Sequence, residues 1–92
     1  MHLGAVHTIR DRAEWDRVMS GEINFPPGFV LHGSITQDDV SRAVCIWDAP
    51  SVDDLQRYLD GLFGAAAVND CFVADSARSI NVPAPQEATA PA

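Results

Sequence analysis

The chain has 92 residues, of which 47% are hydrophobic and 21% are charged. That length suits a single domain, and that composition excludes a wholly disordered chain. Six basic against thirteen acidic residues give a formal net charge of −7, which repels phosphate backbones and anionic lipids, so we expect neither nucleic-acid nor membrane partners.

The sequence also indicates a cellular compartment. No stretch approaches the ~20 apolar residues of a membrane span, and residues 1–7 have no basic segment followed by an apolar run. We therefore expect a cytoplasmic protein. In that compartment Cys45 and Cys71 are expected as reduced, buried thiols rather than as a disulfide.

The first half of the chain predicts a strand, a helix and a second strand. Residues 3–9 are apolar and β-branched without a helical stripe, which is typical of a strand. Asp11 and Glu14 have the spacing of a capping box, and we expect the following helix to end near Gly21 in the left-handed conformation. Its apolar stripe recurs every three or four residues and consists of Trp15, Val18, Met19 and Ile23. A proline-rich turn then leads to a strand over residues 29–36.

The second half predicts a strand, a helix and a last strand. Residues 37–40 suit a hairpin loop, so the strand over residues 42–48 should lie antiparallel to the one before it. Ser51 begins the second helix, whose apolar stripe consists of Val52, Leu55, Leu59, Leu62 and Phe63. The pair Asn69-Asp70 predicts a turn, followed by a strand over residues 71–74. Residues 83–92 are rich in Pro and Ala and predict a flexible tail, so we expect the domain to span residues 1–82.

This order of elements predicts an α+β fold of the ferredoxin-like βαββαβ type, with a four-stranded antiparallel sheet and both helices on one face. The other face would remain open. We assign two sets of alternating residues to the two faces: Leu31, Ile35, Val44 and Ile46 to the helix side, and Val30, Ala43, Cys45 and Trp47 to the open side. A homodimer that packs two sheets through the open face would cover it.

Residues 43–55 read Ala-Val-Cys-Ile-Trp-Asp-Ala-Pro-Ser-Val-Asp-Asp-Leu. This stretch resembles the dimeric α/β-barrel superfamily, nearest to its small actinobacterial-type members, in which a Cys-x-aromatic-acidic-Ala-Pro motif joins a strand to the second helix. The resemblance implies a dimeric α/β barrel. Some proteins of this kind bind nickel or related metals, and other branches are cofactor-independent monooxygenases, polyketide cyclases, muconolactone isomerases and haem enzymes. A resemblance at the level of fold leaves the function open.

Our first functional hypothesis is a small-molecule-binding protein, and within that class a cofactor-independent monooxygenase or cyclase acting on an aromatic or polyketide-like substrate. The substrate would lie between the sheet and the helices. His32, His7 and Tyr58 are the candidate catalytic residues, because imidazole titrates near neutral pH and a phenol can orient a ring. Trp15 and Trp47 would shape the pocket or stack on the substrate, although both also fit the core pattern. No cofactor is expected for this chemistry.

Two alternatives stay open. In the simplest hairpin register His32 lies opposite Cys45, and a slip of two residues would set it opposite Trp47. With His7 on the neighbouring strand, His7, His32 and Cys45 could form a soft site for nickel or another transition metal. The second helix carries no histidine to extend such a site. The other alternative is a non-catalytic dimerisation module.

Overall fold

The computed structural model describes residues 1–82, and the tail predicted over residues 83–92 lies outside them. The strands are β1 (His2–Ile9), β2 (Val30–Thr36), β3 (Arg42–Asp48) and β4 (Ala67–Val73), and the helices are α1 (Arg12–Ser20) and α2 (Val52–Phe63). Short 3-10 turns follow at Gly64–Ala66 and Ser76–Arg78.

The four strands form one antiparallel sheet in the order β2-β3-β1-β4. The central strands β1 and β3 pair from His2 with Asp48 to Thr8 with Arg42. Both helices place their buried residues in one core with the inward side chains of the sheet. The predicted α+β, ferredoxin-like βαββαβ arrangement is confirmed.

Both helices begin where the capping residues predict. Asp11 Oδ1 accepts a hydrogen bond from the Glu14 backbone N–H at 3.1 Å, and Ser51 Oγ accepts one from the Asp54 backbone N–H at 3.0 Å. These bonds satisfy donors that the first turn leaves unpaired. The expected left-handed conformation of Gly21 is wrong, because Gly21 has φ −83° and is extended. Neither helix of residues 1–82 has the length and apolarity needed to cross a membrane.

Strand β4 begins four residues earlier than predicted. The pair Asn69-Asp70 lies inside this strand and forms no turn. Asn69 is buried on the helix side, where its amide bonds to His7 and Asp60. These side-chain hydrogen bonds offset the low strand propensity of asparagine, so tertiary contacts decide the local structure.

The assignment of β3 to the two faces is also wrong. Ala43, Cys45 and Trp47 point toward the helices and are buried, whereas Val44 and Ile46 lie on the open face and are partly exposed. Both alternating sets are apolar, so periodicity cannot choose between them. Trp47 buries the larger area, and placing it in the core is the more favourable solution.

Strand β2 presents residues to both faces because it contains a β-bulge. Leu31 pairs with Trp47, but Gly33 pairs with the next residue of β3, Ile46. His32 is therefore an extra residue between two paired positions. The shift places Leu31 against the core and Ile35 on the open face, where Ile35 is 74% exposed.

The core between the sheet and the helices is centred on aromatic rings. Trp15 of α1 stacks on Phe63 of α2 with ring centroids 4.4 Å apart and planes 15° from parallel. Leu55 and Leu59 of α2 are fully buried beneath these rings. Each such buried side chain contributes about 1.5–3 kcal/mol of hydrophobic stabilisation. The contact fixes α1 and α2 against each other above β1 and β3.

Candidate functional site

His7 lies in the middle of β1 and points into the core, as its position on the side of Leu3 and Ala5 predicted. It is 1% exposed, and the rings of Trp15 and Phe63 lie 5.3 Å and 5.6 Å from its ring. Burial lowers the pKa of His7 below its ordinary value of 6.5, and the hydrogen bond with Asn69 acts in the opposite direction. The imidazole is therefore neutral at pH 7.

The amide of Asn69 decides which nitrogen of His7 carries the proton. Asn69 Nδ2 donates to Asp60 Oδ1 at 3.0 Å, since a carboxylate can only accept. The other end of the amide, Oδ1, then faces His7 Nδ1 at 2.7 Å. Nδ1 must therefore be the donor, and the lone pair of the ring lies on Nε2.

The thiol of Cys45 lies between two acceptors. Its Sγ is 3.2 Å from His7 Nε2 and 3.3 Å from Ser34 Oγ. Burial raises the pKa of the Cys45 thiol above its ordinary value of 9.0, so the proton stays on sulfur. The S–H group can donate to either acceptor. A neutral thiol beside a neutral imidazole is not the thiolate–imidazolium pair of a cysteine nucleophile.

A small cavity of about 30 Å³ lies next to His7 and Cys45. Its other aromatic walls are Trp15, Trp47 and Phe63, and Phe25 closes it on the side of the loop before β2. That volume holds about one water molecule. Among the predicted substrate-site residues, the structure thus brings His7, Trp15 and Trp47 to one cavity.

Tyr58 packs beside this cavity instead of lying in solvent as its position off the helical stripe suggested. Its ring is 6.2 Å from Trp47 and 5.3 Å from Phe29, and its hydroxyl donates to the Asn24 carbonyl at 3.3 Å. Burial raises the pKa of Tyr58 above its ordinary value of 10.0. Tyr58 therefore attaches the loop before β2 to α2 and supports the cavity wall.

His32 lies on the opposite face of the sheet from His7. The bulge removes it from both predicted registers, since Ser34 pairs with Cys45 and Leu31 pairs with Trp47. The three residues of the predicted metal site, His7, His32 and Cys45, therefore do not meet at one point. His7 and Cys45 are in contact, and His32 is not with them.

His32 instead belongs to a second cluster, with His2 and Asp48. His32 Nε2 lies 3.2 Å from Asp48 Oδ2, and the His2 and His32 rings are 5.6 Å apart at 83°. One ligand atom of each residue lies within 4.8 Å of the others. Asp48 Oδ1 is also 3.6 Å from the Met1 amino group. Sequence reasoning missed His2 and Asp48, although an antiparallel alignment of β1 with β3 would have paired them.

The open face of the sheet carries exposed apolar side chains: Ile35, Val44, Ile46, Val68 and Phe72. A shallow concavity of about 350 Å³ lies among Val6, Ile35 and Val44. The ring of Phe72 covers Gly4, where an added Cβ would come within 2.2 Å of Phe72 Cζ. The absence of a side chain at position 4 therefore lets the aromatic ring lie flat across the sheet.

Comparisons of the chain with protein-family models, with curated proteins and with solved structures give no significant match.

Proposed function

We propose that this chain is a homodimeric small-molecule-binding domain whose ligand is a flat aromatic or enolic molecule with a hydroxyl group. The ligand site is the cavity beneath the helices. The observation that carries this proposal is the Nε2 lone pair of His7, held in one tautomer by Asn69 beside an aromatic cavity. Apolar pockets with a few oriented polar groups are the usual form of small-molecule sites.

A ligand hydroxyl can bind His7 without leaving Cys45 unsatisfied. The Cys45 S–H group has a second acceptor in Ser34 Oγ at 3.3 Å. When the ligand donates to His7 Nε2, the thiol proton turns to Ser34 and every polar group keeps a partner. Replacing one hydrogen bond by another avoids the cost of a buried unpaired group.

The ligand must enlarge the cavity as it enters, since pockets for drug-sized ligands measure ~300–1,000 Å³. Phe25 and Met19 border the cavity and are 40% and 38% exposed. Phe25 lies in the segment between α1 and β2, which has no helix or strand. Outward rotation of these two side chains opens the cavity at little cost to the core.

His7 can also act on the ligand it binds. A neutral imidazole that accepts a phenolic or enolic hydroxyl is positioned to remove its proton as a general base. Such a proton transfer would begin the cofactor-independent oxygenation or cyclisation that the resemblance to the dimeric α/β-barrel superfamily implies.

The binding test uses 2-naphthol and its methyl ether, which differ only in the hydroxyl proton. The chain contains two tryptophans, Trp15 and Trp47, so their indole N–H signals in a ¹H–¹⁵N NMR spectrum report directly on the cavity. We expect 2-naphthol to shift both signals saturably and more tightly than the ether. His7→Leu should abolish the preference for the hydroxyl, and the matched variant His32→Leu should keep it.

Two outcomes would end the ligand-binding proposal. One is the absence of any saturable shift, which would favour a pure dimerisation module. The other is an equal response of the protein to naphthol and ether, because the lone pair of His7 would then have no role in recognition.

The dimer is proposed from the open face of the sheet. Monomeric proteins seldom expose a contiguous apolar surface of this kind, and isologous pairing of two copies is the commonest way to cover one. The charged residues on this face, Arg42 and Asp70, have opposite sign and can pair across a two-fold axis. Light scattering of the purified protein at micromolar concentration should give twice the chain mass, and a stable monomer would exclude the dimer.

A further inference from the structure

We propose that His2, His32 and Asp48 bind one divalent first-row transition-metal ion. This site goes beyond the proposed ligand pocket, since it lies on the other face of the sheet and shares no residue with it. Two imidazoles and one carboxylate are the donor set that zinc and its neighbours bind in proteins.

The donor atoms are nearly at the spacing that a bound ion requires. Two ligand atoms that are each ~2.1 Å from a tetrahedral metal ion lie ~3.4 Å from each other. His32 Nε2 and Asp48 Oδ2 are 3.2 Å apart, which already meets that distance. The cluster as a whole spans at most 4.8 Å, so a side-chain rotation that brings His2 about 1.4 Å closer completes the site.

His2 supplies an independent indication of a ligand. It is 8% exposed, and its Nε2 has no hydrogen-bond partner among residues 1–82. Buried polar atoms in native proteins are almost always satisfied, and each exception calls for a missing water or ion. A metal ion held also by His32 and Asp48 would satisfy this nitrogen directly.

The backbone holds these three residues in place. His2 and Asp48 are directly paired across β1 and β3, the two central strands. His32 reaches the same point because the bulge in β2 inserts it as an unpaired residue. Bulges commonly redirect a side chain toward a functional site, and ligands on strands are held more rigidly than ligands on loops.

The donor set defines which ions fit. Imidazole nitrogen favours Zn²⁺, Ni²⁺, Co²⁺ and Cu²⁺ over Mg²⁺ and Ca²⁺, which prefer oxygen ligands. Three protein ligands leave at least one coordination position for water or another small ligand, as in zinc sites that are not purely structural. Asp48 neutralises one of the two positive charges of the ion.

The test is calorimetric titration of Zn²⁺ into protein prepared without a histidine tag, together with the visible absorption spectrum of the Co²⁺-loaded protein. The chain contains three histidines, which provide a matched set of variants. His2→Gln and His32→Gln should each weaken Zn²⁺ binding by more than the ~10–100-fold that loss of a residue outside the coordination sphere costs. His7→Gln should leave the Zn²⁺ affinity and the Co²⁺ spectrum unchanged.

The circular dichroism spectrum of each variant checks that it is folded, and Asp48→Asn provides a third test with nearly the same side-chain volume. Stoichiometric Zn²⁺ binding that both outer-face histidine variants weaken supports the site. Absence of binding by the native chain at micromolar Zn²⁺ overturns it. Binding that survives in His2→Gln and His32→Gln but is lost in His7→Gln overturns it as well, since the ion would then sit beside Cys45.

Discussion

Acidification should destabilise this protein through His7, and His7→Gln should remove that effect. Burial lowers the pKa of His7 below 6.5, so the folded state resists a proton that the unfolded chain accepts. The contribution to stability is therefore complete above pH 6.5 and decreases as the pH falls below that value. The titratable groups nearest to the ring are the Cys45 thiol and, through the Asn69 amide, the Asp60 carboxylate.

The size of the effect follows from one proton. Between pH 7.5 and 5.5, a histidine with an unfolded pKa of 6.5 that stays neutral in the folded state costs about 1.4 kcal/mol of the free energy of unfolding. For a domain of this size, that loss corresponds to a decrease of roughly 5–10 °C in melting temperature.

The assay is urea unfolding at both pH values, followed by the fluorescence of the buried Trp15 and Trp47. EDTA is added so that metal binding by other histidines does not contribute. His7→Gln lowers the stability at both pH values because it disturbs the hydrogen bonds of the core. The informative quantity is thus the difference between the two pH values, which should shrink by about 1.4 kcal/mol. An equal pH dependence in native and variant proteins would refute the reasoning.

Three further substitutions test the fold. Leu59→Ala should lower the free energy of unfolding in urea by about 2–5 kcal/mol, because Leu59 is 1% exposed; a loss below 1 kcal/mol would contradict the packing. Asp11→Ala should cost about 1 kcal/mol by removing the cap of α1, while Asp53→Ala, in which no capping bond is lost, should cost less; equal losses would count against the cap. Val44→Lys, on the open face, should convert the proposed dimer to a folded monomer by light scattering, and an unchanged mass would place the interface elsewhere.

The elements of this fold could be predicted from the sequence because their signals are local. The capping residues Asp11 and Ser51 mark both helix starts, and the predicted strand over residues 42–48 coincides with β3. Strand β4 was placed too late, since Asn69-Asp70 has turn-forming propensity. Only the long-range bonds of Asn69 make that segment a strand.

The faces of the sheet could not be predicted, since alternation carries no information when both sets of residues are apolar. In β3, Cys45 and Ile46 are equally compatible with a core position by hydropathy. In β2, one extra residue at the bulge reverses the alternation, and Gly33 is the only local sign of it. Register errors of a single residue exchange the two faces of a strand.

The candidate site was predictable only in part. His7 could be placed in the core because Leu3 and Ala5 share its side of β1. The contact of His7 with Cys45 follows from adjacent strands, but the bulge separates His32 from both. The partnership of His32 with Asp48 depends on a pairing between distant strands, which no short motif encodes.

The hydrogen bonds of Asn69 let a surface residue govern chemistry in the interior. Asp60 is exposed on α2 and has no direct bond to the imidazole among the described residues, yet its negative charge fixes which way the intervening amide is turned. With a neutral amide at position 60, both rotations of the Asn69 side chain would be satisfied equally. The ring of His7 would then exchange its two neutral forms, and its basic nitrogen would no longer be reserved for an incoming molecule.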